Sequence, residues 1–389
     1  MKFLHTSDWH LGQQLYGYDR TEEHDSMLSQ IIEIVKENKP DALLISGDIY
    51  HSTTPSKEVQ QWFVKALMQL HNAYHEMEIF VTAGNHDSQK LHEIFQSPWE
   101  TLNIHEIGYI DKENLGDNCI ELPGKGIVAV LPYCYERNLP DDYYRKVVEA
   151  TNQVNKGQGL PVVVMAHTSV RGSQFEGHDN SSIDNIGGIE CVGLEEFGEG
   201  YDYVALGHIH KPQWVHGGDG RVRYCGSPVA VSFDEKFSHS VSLVEIGKHG
   251  EKPTVTVIEI KNPHPLVSIP TEGTKSFDEA IQLLRDFPSD NPAYIRLNVE
   301  LTDALPALAN ETASKAAEGK QCRFCLINAV RQQTSDNTAK SMTIAEFQKA
   351  TPIEIAKRYA DDSGKVFDDE LQSLFNEAVQ ALNEEKRNN

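Results

Sequence analysis

Five apolar runs along this chain stop at side chains that carry metal-binding chemistry. "KFLHTSD" leads into Asp8 and His10, and "DALLISGD" ends at Asp48. "EIFVTAGNHD" ends in Asn85, His86 and Asp87, "PVVVMAHT" reaches His167, and "YVALGHIH" closes on His208 and His210. Two histidines spaced i and i+2 on an extended chain project to the same side, which is a ligand geometry. Each signal alone has a plainer reading, since "GNHD" is good turn chemistry and a single strand-end histidine is usually a satisfied core residue. Their joint occurrence at the ends of successive apolar strands is hard to obtain from turn chemistry. In an open α/β sheet the carboxyl ends of strands share one edge, where ligands bind. The donors are therefore expected to converge although they span most of the first 210 positions.

Asp8, His10, Asp48, Asn85, His167, His208 and His210 are too many ligands for one ion and suit two. Carboxylate, amide and imidazole donors without thiolate fit Mn, Fe, Zn or Ni, and the donor types alone leave that choice open. Asp48 is the expected bridge between the ions. Such a pair lowers the pKa of a shared water and offsets charge on a phosphoryl group under in-line attack. His86, between Asn85 and Asp87, is expected to stay off the ions and to protonate the leaving oxygen.

The elements that must hold these residues alternate between strand-like and helix-like over the first 210 positions, which predicts an α/β sandwich. Met27, Leu28, Ile31, Ile32 and Val35 recur at helical spacing, as do Val59, Phe63, Leu67 and Leu70 in a helix predicted over 56–76. "DDYYRKVVEATNQVN" reads as a third helix. From about 214 onward "RVRYCGSP", "SVSLVEIG" and "PTVTVIEI" are β-type segments. Prolines crowd "KNPHPLVSIP" (261–270) and predict a boundary between a domain over 1–261 and a small α/β capping module over 262–335. A polar stretch over 331–343 reads as a linker. The tail, 343–389, carries two helical patterns, the second with Leu371, Leu374, Phe375, Val379 and Leu382 on one stripe. That stripe suits docking onto a partner.

Composition narrows the function. The net charge is −23, from 35 Lys+Arg against 58 Asp+Glu, and no long basic run appears. Tight autonomous binding to a polynucleotide by counterion release is therefore not expected; bound cations or a partner must supply positive charge. Six cysteines over 389 residues are no disulfide framework, and Cys322 and Cys325 are expected to be a reduced structural pair. No apolar run approaches the ~20 residues of a membrane span, and the N-terminus turns polar too early for a signal peptide, so a cytoplasmic protein is expected. The sequence lacks G-x-x-x-x-G-K-[ST], so any ATP-driven step belongs to another chain.

Asp8-x-His10, Gly47-Asp48, Gly84-Asn85-His86-Asp87, His167 and Gly207-His208-x-His210 together resemble the calcineurin-like metallophosphoesterase signature. "HTSDWHLG", "GDIYHSTTPS", "GNHDS" and "YCGSPVAVSFDE" are similar to the SbcD-type nucleases within it, strongly over about residues 1–260 and only in layout beyond. The resemblance implies a four-layer double β-sandwich flanked by helices, a capping domain that recognises DNA, and C-terminal helices that grip an SbcC-type ATPase. It implies that Asp8, His10, Asp48 and His210 hold one ion, that Asp48, Asn85, His167 and His208 hold the other, and that both are manganese. His86 matches the family's proton donor, and His51 a histidine that helps place the DNA. His5 and His24 are expected to be structural. The resemblance further implies a homodimer within a heterotetramer that processes DNA ends in repair, recombination and replication. Its activities would be double-strand exonuclease and single-strand endonuclease. A small-molecule phosphodiesterase or phosphatase on the same core is the alternative, favoured by the acidity; a non-enzymatic metal scaffold would have no use for His86.

Overall fold

The computed structural model describes residues 1–331, apart from 95, 111–113, 135–138, 176–190 and 302–303, and thereafter 353, 357, 367, 368, 371, 372 and 375. Residues 1–330 form one compact unit and 331–389 a second. Most of the helical tail expected over 343–389, including Leu374, Val379 and Leu382 of its stripe, lies outside the described residues.

In chain order the first unit contains β1 (Lys2–Thr6), a hairpin of β2 (Gln14–Leu15) and β3 (Tyr18–Asp19), α1 (Thr21–Asn38), β4 (Ala42–Ser46), α2 (Lys57–Ala73) and β5 (Glu78–Thr82). Short helices α3 (Gln89–Glu93) and α4 (Gln96–Glu100) lead to β6 (Ile104–Ile107). Next come β7 (Cys119–Leu122), β8 (Gly126–Leu131), α5 (Tyr143–Val154), β9 (Val162–His167), β10 (Tyr203–Gly207), β11 (Gln213–Trp214) and β12 (Val222–Tyr224). Strands β13 (Ser240–Glu245) and β14 (Thr254–Glu259) precede a small module of β15 (Leu266–Ile269), α6 (Phe277–Asp286), β16 (Tyr294–Leu301), α7 (Ala309–Ala317) and β17 (Arg323–Arg331).

Two six-stranded sheets result, ordered β14-β13-β1-β4-β5-β6 and β11-β12-β10-β9-β8-β7, with a third, β15-β16-β17, in the small module. Strands β1, β4, β5 and β6 run parallel, as do β8, β9, β10 and β12. Their apolar runs are continuous because both faces are covered. Phe3, Ala42, Leu44 and Phe80 of the first sheet meet Val128, Val163, Met165 and Ala205 of the second in a shared core. Their neighbours Leu4, Leu43, Ile45 and Val81 point the other way, onto Met27, Ile31, Phe63 and Leu67 of α1 and α2. Val164, Ala166, Val204 and Leu206 of the second sheet pack likewise on Tyr144, Val147 and Val148 of α5. The order is helix, sheet, sheet, helix: the expected four-layer double sandwich.

The three helices predicted within the first 210 positions hold to within a few residues. The period-2 and period-3.6 signals missed the hairpin, α3, α4, β6 and β7, each of five residues or fewer and too short to display a period. His5 and His24 are buried, His5 with Nδ1 3.0 Å from the Tyr203 hydroxyl and His24 edge-on to Trp62, in the structural roles expected of them. Cys322 and Cys325 are free thiols, and Cys322 sits in the core of the small module.

Candidate metal centre

The strands that end in donors belong to two sheets, not one. Strands β1, β4 and β5 of the first sheet bring Asp8, His10, Asp48, Asn85 and His86; β9 and β10 of the second bring His167, His208 and His210. They meet because the sheets face each other with these carboxyl ends at the same rim. Within each sheet the register aligns them: Ser46 lies beside Thr82, and Gly207 beside His167. The segments after β1 and β4 are stitched together, with Asp8 N–H donating to the Gly47 carbonyl at 2.9 Å and His10 N–H to the Asp48 carbonyl at 3.1 Å.

Glycine precedes the donor in "GD", "GNHD" and "GHIH" for a steric reason. A Cβ on Gly84 would lie 2.2 Å from Asp48 Oδ1, and one on Gly207 would lie 1.8 Å from the Ser46 carbonyl oxygen. The donors themselves carry backbone strain. Asp8, His10, Asp48 and His208 have φ of 53°, 47°, 51° and 100°, where side chains other than glycine are rare. Strain concentrated at one rim marks a functional site, because only a surrounding structure that over-determines the backbone maintains it.

Three overlapping donor clusters share this rim: one joins His10 to His51 and His86, and the other two are made of predicted ligands. In one of those two, Asp8, His10 and His210 converge, with the Nε2 atoms of His10 and His210 3.2 Å apart. In the other, Asp48, His167 and His208 converge around Asn85, whose Oδ1 is 3.0 Å from His167 Nε2 and 2.9 Å from His208 Nδ1. Asp48 stands between them: its Oδ2 lies 3.4 Å from His167 Nε2 and 3.8 Å from His10 Nε2. All seven predicted ligands are thus at one place. His86 and His51 are brought there too. The His86 ring centre is 5.0 Å from that of His10, and the His51 ring stacks on His86 at 5.9 Å.

The residues fit a pair of cations. His167 Nδ1 is 2.8 Å from the Ser46 carbonyl, which can only accept, so Nδ1 carries the hydrogen and Nε2 offers its lone pair inward. Glu235 does the same for His210, with Oε1 2.8 Å from Nδ1. Without cations the cluster balances charge with protons. Burial alone would lower His167, but the Asp48 carboxylate outweighs it and holds the imidazole up at about 9; for His210 burial is likewise outweighed, by Glu235, again giving about 9. Burial would raise Asp48, yet the His167 charge pulls it well below the usual carboxylate range, while burial keeps Asp8 above it. Burial lowers His10 far below an ordinary imidazole, leaving it neutral, as a ligand must be.

Three residues support the centre in roles that the sequence reading did not give them. Glu235 orients His210, and Ser7 Oγ donates to Asp8 Oδ2. Asp87 is no ligand: it accepts the backbone N–H groups of Ile49, Tyr50 and Gly84 at 3.1, 2.9 and 2.8 Å, tying the Asp48 loop to the Asn85–His86 loop. "FDE" and the last residue of "GNHD" carried the only signal, and it was adjacency without periodicity.

Comparison with known proteins adds to this geometry. Residues 1–212 match the family model described as Calcineurin-like phosphoesterase, and residues 262–363 match one described as Type 5 capsule protein repressor C-terminal domain. A protein of Rhodobacter capsulatus, named as the D component of the nuclease SbcCD, is 30% identical over 311 residues, covering 73% of this chain and 75% of the relative. The protein of the same name from Bacillus subtilis is 28% identical over 404 residues and covers 99% of each chain. That of Escherichia coli K12 is 26% identical over 330 residues, 78% of each. Among the described residues, no helix is long and apolar enough to cross a membrane.

Proposed function

We propose, from the premise that this chain belongs to the calcineurin-like phosphoesterase family and to the SbcD nucleases within it, that it is the nuclease component of an assembly that trims DNA ends. It is a metal-dependent phosphodiesterase. The finer reading is double-strand exonuclease and single-strand endonuclease activity, driven with an SbcC-type ATPase in repair, recombination and replication. In that reading residues 1–261 are the nuclease domain, 262–335 a capping module that recognises DNA, and 343–389 the segment that binds the ATPase. A homodimer within a heterotetramer in the cytoplasm completes it.

The observation that carries the reading is the carboxylate of Asp48 shared between two donor clusters. Asp8, His10, Asp48 and His210 would hold one ion, and Asp48, Asn85, His167 and His208 the other, with manganese the metal we assign. Bound there, two cations supply Lewis acidity to the phosphodiester and a water nucleophile that is acidic near neutral pH. The chain's own residues do the rest. His86 Nδ1 lies 3.1 Å from the His51 carbonyl, so Nδ1–H is held there, and the imidazolium form of the ring presents Nε2–H to the leaving oxygen, returning to the neutral Nδ1–H ring once that proton is given up. The amide of His86 donates to Asp48 Oδ1 at 2.8 Å, coupling the proton donor's position to the bridging ligand. His51, stacked on His86, places the scissile phosphate.

A small-molecule phosphodiesterase remains the second reading, on one observation. The cleft of about 640 Å³ that opens at His51 is lined by Asp19, Asp25 and Glu58 against Lys65, which repels a polyanion. The test offers the manganese-loaded protein a blunt DNA duplex and a small aryl phosphodiester, with and without the ATPase. Duplex degradation supports the nuclease; cleavage of the small ester alone, even with the ATPase present, supports the second reading. Deleting residues from 343 onward should leave metal binding intact and abolish co-purification with the ATPase, and a truncated chain that still co-purifies contradicts the assignment of the tail.

A further inference from the structure

Glu235, which orients His210, belongs to a loop that no sheet holds. Residues 230–235 lie outside every strand, so no ladder of backbone hydrogen bonds fixes them. Among the described residues, three buried side chains from outside the loop hold its backbone, and His239 Nε2 lies 3.6 Å from Glu235 Oε2. Gln13 Nε2 donates to the Val231 carbonyl at 3.0 Å, and Arg20 Nη1 donates to the Ala230 carbonyl at 2.6 Å. The third is Arg296 on β16 of the small module. Its Nη1 meets Asp234 Oδ1 at 2.6 Å, its Nη2 donates to the Phe233 carbonyl at 3.2 Å, and its guanidinium lies over the Phe233 ring at 5.3 Å. Ser268 Oγ accepts from Arg296 Nε at 3.0 Å and holds the guanidinium in this pose. Next in the chain, Glu235 accepts the Val231 N–H at 3.0 Å and His210 Nδ1–H at 2.8 Å.

We propose that Arg296 is a positioning residue for the half of the metal centre that contains His210: the small module sets the Phe233–Asp234 turn, and the turn sets Glu235. Gln13 and Arg20 fix the near end of the loop from within the phosphoesterase domain. Arg296 fixes the far end, the one that carries the carboxylate. A planar guanidinium that grips a carboxylate, a carbonyl and a ring face at once defines a position, which a single point charge does not. The small module thereby contributes to the centre without supplying a ligand. This rests on the two-cation reading of the centre.

The discriminating comparison is with Arg323, a second arginine of the module at the same seam, whose Nη1 donates to the Tyr294 hydroxyl at 2.7 Å but which does not touch the loop. Manganese is titrated into the full-length chain without substrate and followed by electron paramagnetic resonance. Loss of an orienting partner behind a ligand typically weakens metal binding ~10–100-fold, so Arg296→Ala should weaken one of the two ions about 10-fold and leave the other unchanged. Arg323→Ala should change neither. Asp234→Asn, at an exposed side chain that keeps the fold, should weaken the same ion as Arg296→Ala by a smaller factor. If both arginine variants weaken binding alike, or Arg296→Ala and Asp234→Asn leave both ions as tight as in the unaltered chain, the inference is overturned. If the unaltered chain itself fails to bind two ions, the metal-centre reading falls first and this inference with it.

Discussion

The metal rim and the seam beneath the small module both bury charge, and they balance it in opposite ways. At the seam Arg20, 1% exposed, is matched inside the protein through Nε and Nη1: Gln13 and Ala230 supply oxygens at 2.6 Å, Glu23 a carboxylate at 3.3 Å, and Tyr294 a ring face, with Nη2 alone left without a hydrogen-bond partner among the described residues. Arg296 and Arg323 are matched likewise by a carboxylate, carbonyl and hydroxyl oxygens and aromatic faces. At the rim Asp8, His10, Asp48, His167 and His210 are as deeply buried, yet their donor atoms face one another, with Nε2 of His10 3.2 Å from Nε2 of His210 and Oδ2 of Asp48 3.4 Å from Nε2 of His167. Buried charge that the polypeptide satisfies is scaffolding, whereas donors aimed at one another are a site.

The sharpest way to break this contrast is to remove the shared carboxylate. Asp48→Asn should lower turnover by about 10³-fold or more and reduce manganese stoichiometry below two, because both clusters lose their common ligand. Kinetics with metal counting check it; full occupancy in that variant would show that Asp48 is no bridge. His86→Ala should separate chemistry from binding, keeping both ions while turnover falls ~10²–10⁴-fold. Loss of an ion from this variant would mean that His86 is a ligand. At the seam the expected effect is on stability. Arg20→Ala leaves Glu23 buried without its partner and should cost about 3–5 kcal/mol in denaturant unfolding; a loss below about 1 kcal/mol would contradict an internally matched seam.

The smallest effect concerns a third buried group, which follows the seam's pattern. His92 Nδ1 is 2.7 Å from Glu106 and its Nε2 is 3.7 Å from Asp87. Burial would lower this imidazole, but the two carboxylates outweigh it and push it up to about 10 from an ordinary 6.5. A raised pKa in the folded state favours the protonated folded form. The stabilisation is therefore complete below about pH 6.5 and fades as pH rises toward 10. The stability gap between the unaltered chain and His92→Gln, read from urea midpoints, should shrink from pH 6 to pH 10. A gap that widens with pH has the wrong sign for this pairing.

The contrast also explains what the sequence disclosed. Fully covered parallel strands read as unbroken apolar runs, and the glycines that close packing demands at 84 and 207 punctuate their ends, so the donors stood out residue by residue. The helices on the outer faces declared themselves by their stripes. Residues that act through another residue did not: Glu235, Asp87, Arg20 and Arg296 lie in loops, at a helix start or on an ordinary strand, where a polar side chain has no period to violate. That the donor strands divide between two sheets was equally hidden, since each strand reads the same in either.

Anomalous diffraction from crystals grown in manganese tests the central claim most directly. Two peaks ~3.5–4 Å apart are predicted, one among Asp8, His10 and His210, the other among Asn85, His167 and His208, with Asp48 touching both. A single peak, or two peaks with Asp48 on neither, would contradict the account.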